Sequence, residues 1–405
     1  MPRVETVIVG AGQAGLALSR ALTRLGRGHV VLERGRVGER WRSERWDSLA
    51  LLTPNWLSRL PGAPEHADPD GFLRREELVS YLERYARSFG APVHEGVTVL
   101  RVSPGFRVET DAGTWWADNV VVASGACDVP VLPAAAAATP VPGLHAAAYR
   151  NPAALPDGAI LVVGAGPSGQ QIALELRRAG REVLLSAGRH VRMPRRYRGR
   201  DAFAWLEEIG QLATTIDEMP DAAAARRAPS FPLDGRGGGE DLDLGVLARA
   251  GVRLAGRLTG FRGDHALFAD DLVENARAAD ASMRKLLARF DAAGGGPPEE
   301  VADVSVEPGP ASADLAGFGA IVWATGYRRE YPWLDVDVLD ADGEIAHKRG
   351  VTEEPGVYTI GMRFLHRRDS HFIGGVGRDA TFIAEHIAAR CGERRRRTAS
   401  LPAAA

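Results

Sequence analysis

The chain has 405 residues, of which 45% are hydrophobic and 25% charged, and this composition is typical of a globular protein with two or three domains. Fifty basic and 52 acidic residues give a formal net charge of -2, which argues against a broadly basic nucleic-acid-binding protein. The two cysteines, Cys127 and Cys391, lie far apart in the sequence, so the chain has no CxxC redox pair, no disulfide framework and no zinc cluster built from cysteines.

The beginning of the chain and its hydropathy indicate where the protein works. A strand-like run at residues 5–9 starts almost at Met1 and leaves no room for a secretory signal. No uninterrupted run of about 20 apolar residues occurs, as a membrane-spanning helix would require. We therefore expect a cytoplasmic protein that does not interact with a membrane.

The first predicted element is a strand, turn, helix and strand unit at residues 5–35. Its turn follows the GxGxxG pattern, in which Gly10 makes the tight turn, Gly12 lets the backbone approach a pyrophosphate, and Gly15 allows close packing of helix on strand. Glu33 ends the second strand, where an acidic residue binds ribose hydroxyls. The unit therefore predicts a dinucleotide site, with these candidate contacts: Gly10, Gly12, Gln13, Ala14, Gly15, Glu33 and Arg34.

The next segments predict elements that connect this unit to a second one. Residues 75–89 have the pattern of a helix, and the segment at 115–126 contains a strand that ends in a glycine turn. The alanine run at 134–138 lies among prolines and is predicted to be a surface loop.

A second βαβ unit at residues 158–188 repeats the first one approximately. Its predicted dinucleotide contacts are Gly164, Gly166, Pro167, Ser168, Gly169 and Gln170. The second strand of this unit ends at Ser186 and not at a carboxylate, and Arg189 follows. An acid would repel a 2'-phosphate, whereas Ser186 and Arg189 could bind one, so the sequence favours NADPH over NADH. Arg195 or Arg196 could assist, or the arginines after Arg189 could form a solvated loop.

The remainder of the chain is predicted to contain helices at 201–212 and 271–291, a loop at 294–300, strands at 320–327 and 356–361, and a final helix at 380–390. An arginine run at 394–397 follows as a tail.

Together these elements predict an α/β protein with two Rossmann-like dinucleotide-binding domains, of which the second is inserted into the first. The predicted boundaries are 1–150 for the N-terminal part of an FAD domain, 151–315 for an NADPH domain, and 316–405 for the C-terminal return to the FAD domain. Two dinucleotide sites in one chain indicate electron transfer between two carriers. FAD is assigned to the first loop because that loop carries the acid.

Several motifs resemble those of the flavin-containing monooxygenase-like (class B) flavoproteins. They are the two glycine loops with Glu33, the segment RVGERWR at 36–42, WDSLALLTPNW at 46–56, and ATGY at 324–327. Val37 replaces the first glycine of the family's GGxWR pattern. A further motif, FxGxxxHxxx(W/Y), is present in altered form, with His145 and Tyr149 recognisable, which argues against the Baeyer-Villiger branch.

The resemblance implies further site residues. Asn55 would lie near the reactive face of the flavin, with Thr53 as the nearest hydroxyl, and these are the candidate catalytic residues. Tryptophans at 41, 46 and 56 would shield the flavin from water, or form plain core. Asp379 would bring the start of the last helix to the flavin, or act as a helix cap. The remaining cofactor contacts are Arg40, Trp41, Trp46, Thr325, Gly326 and Asp379.

The predicted function is that of an FAD- and NADPH-dependent monooxygenase acting on dioxygen and a small-molecule substrate. In this hypothesis a C4a-(hydro)peroxyflavin oxygenates an amine nitrogen or a sulfur, without a metal. Two alternatives stay open: an NADPH-dependent oxidase or reductase that inserts no oxygen, and a non-catalytic dinucleotide sensor. No nucleic-acid partner is expected. A homodimer is expected from the family resemblance alone.

Overall fold

The computed structural model describes residues 2–399, with side chains described as far as residue 392. Within that range the strands are β1 (Arg3–Val9), β2 (His29–Glu33), β3 (Val93–Glu95), β4 (Val99–Ser103), β5 (Arg107–Thr110), β6 (Gly113–Val122), β7 (Val129–Pro130), β8 (Gly143–His145), β9 (Ala159–Val163), β10 (Val183–Ser186), β11 (Arg196–Tyr197), β12 (Arg200–Asp201), β13 (Arg253–Ala255), β14 (Leu258–Arg262), β15 (His265–Phe268), β16 (Ser312–Asp314), β17 (Phe318–Trp323), β18 (Tyr327–Arg328) and β19 (Val357–Thr359).

The α-helices are α1 (Gln13–Arg24), α2 (Glu39–Ser43), α3 (Arg75–Ser88), α4 (Pro167–Arg178), α5 (Ala202–Glu208), α6 (Ala222–Arg227), α7 (Leu244–Arg249), α8 (Leu272–Gly294) and α9 (Val376–Ala399). The predicted helices match α3, α5, α8 and α9 within a few residues at each end, apart from the extension of α9. Residues 134–138, predicted to be a loop, form a 3-10 helix. The helix α9 continues through the arginine run at 394–397, whose side chains lie outside the described residues.

The first sheet has the order β3-β2-β1-β6-β5-β4, with β19 also paired to β6. Its central strands are parallel, while β4, β5 and β6 pair antiparallel. Because side chains alternate along a strand, Ile8 of β1 packs on one face against α1, α3 and α9, and Val7 packs on the other face against residues 331–345. Both faces of this sheet are therefore covered, as in a doubly wound fold.

The second sheet is wholly parallel, with the order β13-β10-β9-β17-β8. On one face, Ile160 and Val162 of β9 pack against α4 and α7. On the other face, Leu161 packs against the small antiparallel sheet of β14, β15 and β16. The sheet confirms a second Rossmann-like domain.

The chain passes from one sheet to the other at positions that differ from the predicted domain boundaries. Strand β8 lies before residue 150 and β17 lies after residue 315, and yet both belong to the second sheet. Only β19 returns to the first sheet. The chain passes between the two sheets twice, and we call these two connecting segments the crossings. They pair with each other as β7 and β18, with Pro130 opposite Tyr327 and Val129 opposite Arg328. The inserted segment therefore lies between residues 129 and 328.

Among residues 2–399, every helix is too short or too polar to span a bilayer.

Candidate functional site

The first glycine loop joins β1 to α1, and each of its glycines has a different steric requirement. Gly10 has a φ of +112°, and a Cβ atom there would lie 2.6 Å from the carbonyl oxygen of Ala123. A Cβ on Gly15 would lie 2.0 Å from the carbonyl oxygen of Gly10. At Gly12, by contrast, no atom lies within 4 Å of such a Cβ, and no side chain caps the helix that starts at Gln13. The loop thus presents an open helix N-terminus, which favours an anion such as a pyrophosphate.

Glu33 lies at the end of β2, next to this loop, as the sequence predicts. One carboxylate oxygen accepts a hydrogen bond from the backbone N–H of Ala11 at 2.7 Å, and the other accepts one from Gly35 at 3.0 Å. The carboxylate is buried and holds the loop against the strand end. Contact of Glu33 with a ribose stays a prediction.

The second glycine loop, between β9 and α4, repeats the geometry of the first. Gly164 has a φ of +110°, and a Cβ on it would lie 2.5 Å from the carbonyl oxygen of Ala324. A Cβ on Gly169 would lie 1.8 Å from the carbonyl oxygen of Gly164. The space around Gly166 is open, and α4 begins at Pro167 without a side-chain cap. The second loop therefore also presents an open helix N-terminus.

Two of the predicted residues at the start of α4 have different surroundings. Ser168 is half-buried in the first turn of the helix. Gln170 is fully buried, and its side-chain amide donates a hydrogen bond to the carbonyl oxygen of Ala165 at 2.8 Å. Gln170 thus stabilises the loop from inside, while Ser168 stays a candidate for contact with a ligand.

Ala123 and Ala324 are functional residues that the sequence reasoning missed. Each directly follows the strand beside a glycine loop, and its carbonyl oxygen lies against the first glycine of that loop. The signal was present as a second repeat, VVVASG at 120–125 and IVWATG at 321–326. The ATG part of the family motif therefore supports the second loop.

The structure contradicts the predicted role of Ser186. Its side chain is 2% exposed, and its hydroxyl donates to the carbonyl oxygen of Gly256 and accepts from the N–H of Leu258, both at 2.9 Å. These bonds join β10 to β14 and leave the hydroxyl unavailable to a phosphate. Arg189, three residues later, is exposed and remains the candidate for a 2'-phosphate.

The arginines that follow are mostly structural. Arg195 is 1% exposed, pairs with Asp201 and donates to the carbonyl oxygen of Leu52 at 2.7 Å, so it cannot reach a phosphate. Arg196 donates to the carbonyl oxygen of Gly238 at 3.1 Å. These contacts contradict a phosphate-binding role for Arg195, and at Arg196 they favour a loop contact.

Trp41 lies beside the first loop, and its indole N–H donates to the side-chain oxygen of Gln13 at 3.3 Å. Arg40 of the same helix pairs with Asp128 at the first crossing between the sheets. Arg34 is exposed and pairs with Glu44 at 3.2 Å. All three residues thus lie at or near the predicted FAD region.

Trp46 has a different position from the one expected for a flavin shield. It is 3% exposed and packs into the core of the second sheet together with Tyr149. The plain core role that the sequence left open is therefore the one that the structure supports for Trp46.

Thr325 and Gly326 hold the two crossings together. The Thr325 hydroxyl donates to the carbonyl oxygen of Val131, and the Gly326 carbonyl oxygen accepts from the N–H of Val131 at 3.0 Å. The same Gly326 oxygen lies 3.0 Å from Nε2 of His145, whose ring packs edge-on against Tyr327. The structure gives His145 a structural role, and cofactor contact by Thr325 and Gly326 stays a prediction.

Asn55 lies in a 3-10 turn at residues 55–57 and has an unused hydrogen-bond acceptor. Its amide nitrogen donates to the carbonyl oxygen of Asp68 at 2.8 Å, while Oδ1 is buried without a partner in the described residues. Thr53 is half-buried, and its hydroxyl lies 2.9 Å from that of Ser58. Asn55 is thus the better-placed of the two to bind a further group, while Thr53 supports the turn.

The start of α9 meets this turn. The N–H of Gly374 donates to the carbonyl oxygen of Leu57 at 2.9 Å. Asp379 lies in the first turn of α9, 4% exposed, and its Oδ2 has no partner in the described residues. Burial raises the pKa of Asp379 to about 6, the nearby Asp369 adds to this effect, and Ser370, Arg349 and Arg378 oppose it. Asp379 is the fourth residue of the helix, so it is not the N-cap.

Comparisons with known proteins agree with this geometry. A family model described as pyridine nucleotide-disulphide oxidoreductase matches residues 7–201. An uncharacterized oxidoreductase, CzcO-like, of Geobacillus kaustophilus is 32% identical over 95% of this chain and 98% of its own length. Indole-3-pyruvate monooxygenase YUCCA8 of Oryza sativa subsp. japonica is 25% identical over 98% of this chain and 93% of its own.

Among solved structures, a flavin-containing monooxygenase from Stenotrophomonas maltophilia aligns with a TM-score of 0.68 at 22% identity, covering 96% of this chain and all of the other. A bacillithiol disulfide reductase from Staphylococcus aureus aligns with a TM-score of 0.60 at 15% identity, covering 96% of this chain and 99% of the other. Both likenesses show the same two-domain fold. The chain is similar over nearly its whole length to the CzcO-like oxidoreductases, and it belongs to that family of oxidoreductases.

Proposed function

We propose that the protein is an FAD- and NADPH-dependent monooxygenase that oxygenates an amine nitrogen or a sulfur of a small molecule. The observation that carries the proposal is the pair of glycine loops with matching geometry, each with an open central glycine and an uncapped helix. Such a pair fits two dinucleotides that exchange electrons.

The first loop fits FAD because Gly12 leaves space for a pyrophosphate and Glu33 lies at the end of the adjoining strand. Gly10, Gly15, Gln13 and the small Ala14 complete this cradle. FAD bound there would accept a hydride from NADPH and react with dioxygen. The N-terminus of α1 would stabilise the negative phosphates.

The second loop fits NADPH because the space around Gly166 can hold a pyrophosphate and no side chain caps the N-terminus of α4. Arg189 is exposed close to the end of β10, where the 2'-phosphate of NADPH would lie. The guanidinium would form charge-assisted hydrogen bonds with that phosphate.

Two buried oxygen atoms have no hydrogen-bond partner in the described residues and are free to take part in the reaction. Oδ1 of Asn55 can accept a hydrogen bond from the flavin or the substrate. Oδ2 of Asp379 can hold a proton near pH 6, because burial raises the pKa of this carboxyl. Trp41 covers the side of the first loop and helps to exclude water from it.

The reaction balances as follows: dioxygen, NADPH, a proton and a sulfide give a sulfoxide, water and NADP. The test uses purified protein with NADPH, thioanisole as a neutral sulfide, and 18O-labelled dioxygen. We expect labelled sulfoxide in an amount close to that of the NADPH consumed. Hydrogen peroxide equal to the NADPH consumed, with no sulfoxide or amine oxide from a panel of sulfides and amines, would contradict the proposal.

The second candidate function is an NADPH-dependent oxidase or reductase that inserts no oxygen. The likeness to a bacillithiol disulfide reductase favours it, because that protein shares the fold over nearly its whole length. Against a thiol mechanism, Cys391 is buried and Cys127 lies in the other half of the chain's sequence. Failure to oxidise NADPH at all would leave only the dinucleotide-sensing alternative. A cytoplasmic location and a homodimer stay predictions.

A further inference from the structure

A group of basic side chains lies in the segment that connects β19 to α9. We call Arg363, Arg368 and His371, all half-buried, the basic cluster. Arg363 donates to the carbonyl oxygen of Ala228 at 2.5 Å and lies 3.4 Å from the hydroxyl of Ser230. Positive charges that are partly withdrawn from water are normally paired with an anion.

The basic cluster has no such anion. In the part of the chain that the structure describes, no carboxylate oxygen lies within 4.0 Å of the guanidinium nitrogens of Arg363 or Arg368. Arg192 shows the usual pattern instead, because it pairs with Asp243 at 2.8 Å and with Asp280 at 2.5 Å. The cluster therefore offers positive charge that the protein itself does not neutralise.

The environment of His371 is consistent with this excess charge. Burial, followed by the charges of Arg363 and Arg368, lowers the pKa of His371 to about 3. The imidazole is therefore neutral at pH 7. Its Nδ1 is buried without a partner among the described residues.

The segment that carries the basic cluster contacts both domains. The segment begins against the first glycine loop, where a Cβ on Gly361 would lie 2.6 Å from Cβ of Ala14. The backbone N–H of Arg368 donates to the carbonyl oxygen of Thr214 at 3.0 Å, which ties the segment to the second domain. A molecule bound by the cluster would therefore lie where the two domains meet, on the segment that begins at the first glycine loop.

Aromatic rings accompany the charge. The guanidinium carbon of Arg368 lies 5.8 Å from the ring centre of Phe364. The ring of Phe372 lies 4.8 Å from that of His371. The surroundings of the cluster thus combine positive charge with apolar rings, which suits an amphipathic anion.

We propose that Arg363 and Arg368 bind the carboxylate of the substrate, so that the substrate class is an aryl or alkyl carboxylic acid that carries the amine or sulfur to be oxygenated. This inference rests on the proposed monooxygenase function. Two arginines can bind a carboxylate through several charge-assisted hydrogen bonds. A phosphate of a dinucleotide offers the same chemistry, and the experiment separates the two sources.

The experiment is isothermal titration calorimetry on the full chain with FAD bound and without NADPH. The probes are (phenylthio)acetate and its uncharged amide, and both carry the same sulfur. We expect the protein to bind the carboxylate roughly tenfold more tightly than the amide or better, as a hydrogen-bonded charge pair implies. Arg363→Gln and Arg368→Gln should remove this preference, and Arg368→Lys should restore part of it.

Arg367→Gln is the matched control, because the side chain of Arg367 donates to the carbonyl oxygen of Ala213 at 3.0 Å and is not in the cluster. This variant should keep the carboxylate preference. FAD content and NADPH affinity should be unchanged in the Arg363 and Arg368 variants. Loss of FAD or weaker NADPH binding, with the carboxylate preference intact, would assign the cluster to a dinucleotide phosphate and overturn the proposal.

The absence of a carboxylate preference in the unmodified protein would also overturn it. The calorimetry measures binding without turnover, so it tests the carboxylate site independently of the monooxygenase function. A carboxylate preference without sulfoxide formation would contradict the monooxygenase function but not the site. Sulfoxide formation from thioanisole without the preference would contradict the site but not the monooxygenase function.

Discussion

The carbonyl oxygen of Ala123 lies 2.6 Å from the position that a Cβ atom would take on Gly10. Ala324 stands in the same relation to Gly164, at 2.5 Å. In both cases the backbone that follows the neighbouring strand occupies the space that a side chain at the first glycine would need. Any side chain at the first glycine would push the loop towards its ligand side, so the two loops depend on the same steric arrangement.

Gly12→Leu and Gly166→Leu should separate the two dinucleotide sites. A side chain fits sterically at both positions, since no atom lies within 4 Å of the new Cβ, and so we expect both variants to fold. Leucine would occupy the space that a pyrophosphate needs. Gly12→Leu should lose FAD, measured by flavin absorbance after gel filtration. Gly166→Leu should keep FAD and lose NADPH binding, and each variant is the control for the other.

Arg189→Ala should raise KM for NADPH roughly tenfold or more and leave KM for NADH nearly unchanged, because only NADPH carries the 2'-phosphate. The measurement is steady-state oxidation of the two cofactors by the same preparation. Arg196→Ala is the control, since that side chain donates to the carbonyl oxygen of Gly238. An unchanged ratio of the two KM values in Arg189→Ala would remove this residue from the site.

Arg195→Ala should destabilise the fold without a direct effect on NADPH. The guanidinium is 1% exposed and pairs with Asp201, so the substitution leaves a carboxylate in a partly buried position without its cation. We expect the free energy of unfolding in urea to fall by about 3–5 kcal/mol. Arg200→Ala removes a side chain that is 45% exposed and should cost about 1 kcal/mol or less. Equal effects of the two substitutions would contradict this interpretation.

Asp379 should make stability depend on pH in the acid range. Its pKa is raised from 3.8 to about 6 by burial, so the folded protein binds the proton more tightly than the unfolded chain does. The contribution of Asp379 to stability therefore becomes less favourable as pH rises from about 4 to about 6. Relative to the unmodified protein, Asp379→Asn should gain on the order of 2 to 3 kcal/mol of unfolding free energy between pH 4 and pH 7.

The measurement for Asp379→Asn is urea unfolding at several pH values, with Asp70→Asn at an exposed position as the control. Asp70→Asn makes the same change of side chain at an exposed position and so reports the effect of losing one surface carboxylate. A stability difference between Asp379→Asn and the unmodified protein that stays constant over this range would show that the carboxyl is not preferentially protonated in the folded protein.

The sequence was sufficient to predict the parts of the site that depend on neighbouring residues. The glycine loops follow from strand, turn and helix patterns within about 30 residues, and both have the expected geometry. The position of Glu33 follows from the same local rule. Asn55 and Asp379 were placed by family resemblance, and both have buried oxygen atoms without partners in the described residues.

The wrong predictions involve contacts between residues that are far apart in the chain. Ser186 bonds to Gly256 and Leu258, about 70 positions later, and nothing in the local pattern indicates those partners. For Trp46 the sequence left a core role open beside the flavin contact, and this residue packs into the core of the second sheet although it precedes that sheet in sequence. Strand β17 lies beyond the predicted boundary at residue 315 and yet pairs with β9, which is more than 150 positions earlier in the chain.

The pairing of Val129 with Arg328 has a consequence for the history of such a chain. Everything between these two neighbouring residues forms one continuous stretch of sequence, and the first sheet contains no strand from it. Domains whose ends lie close together are the ones that tolerate transfer into another protein. A single recombination event could therefore insert the second domain into the gene for a protein that already had the first. The strand order of the first sheet would not change.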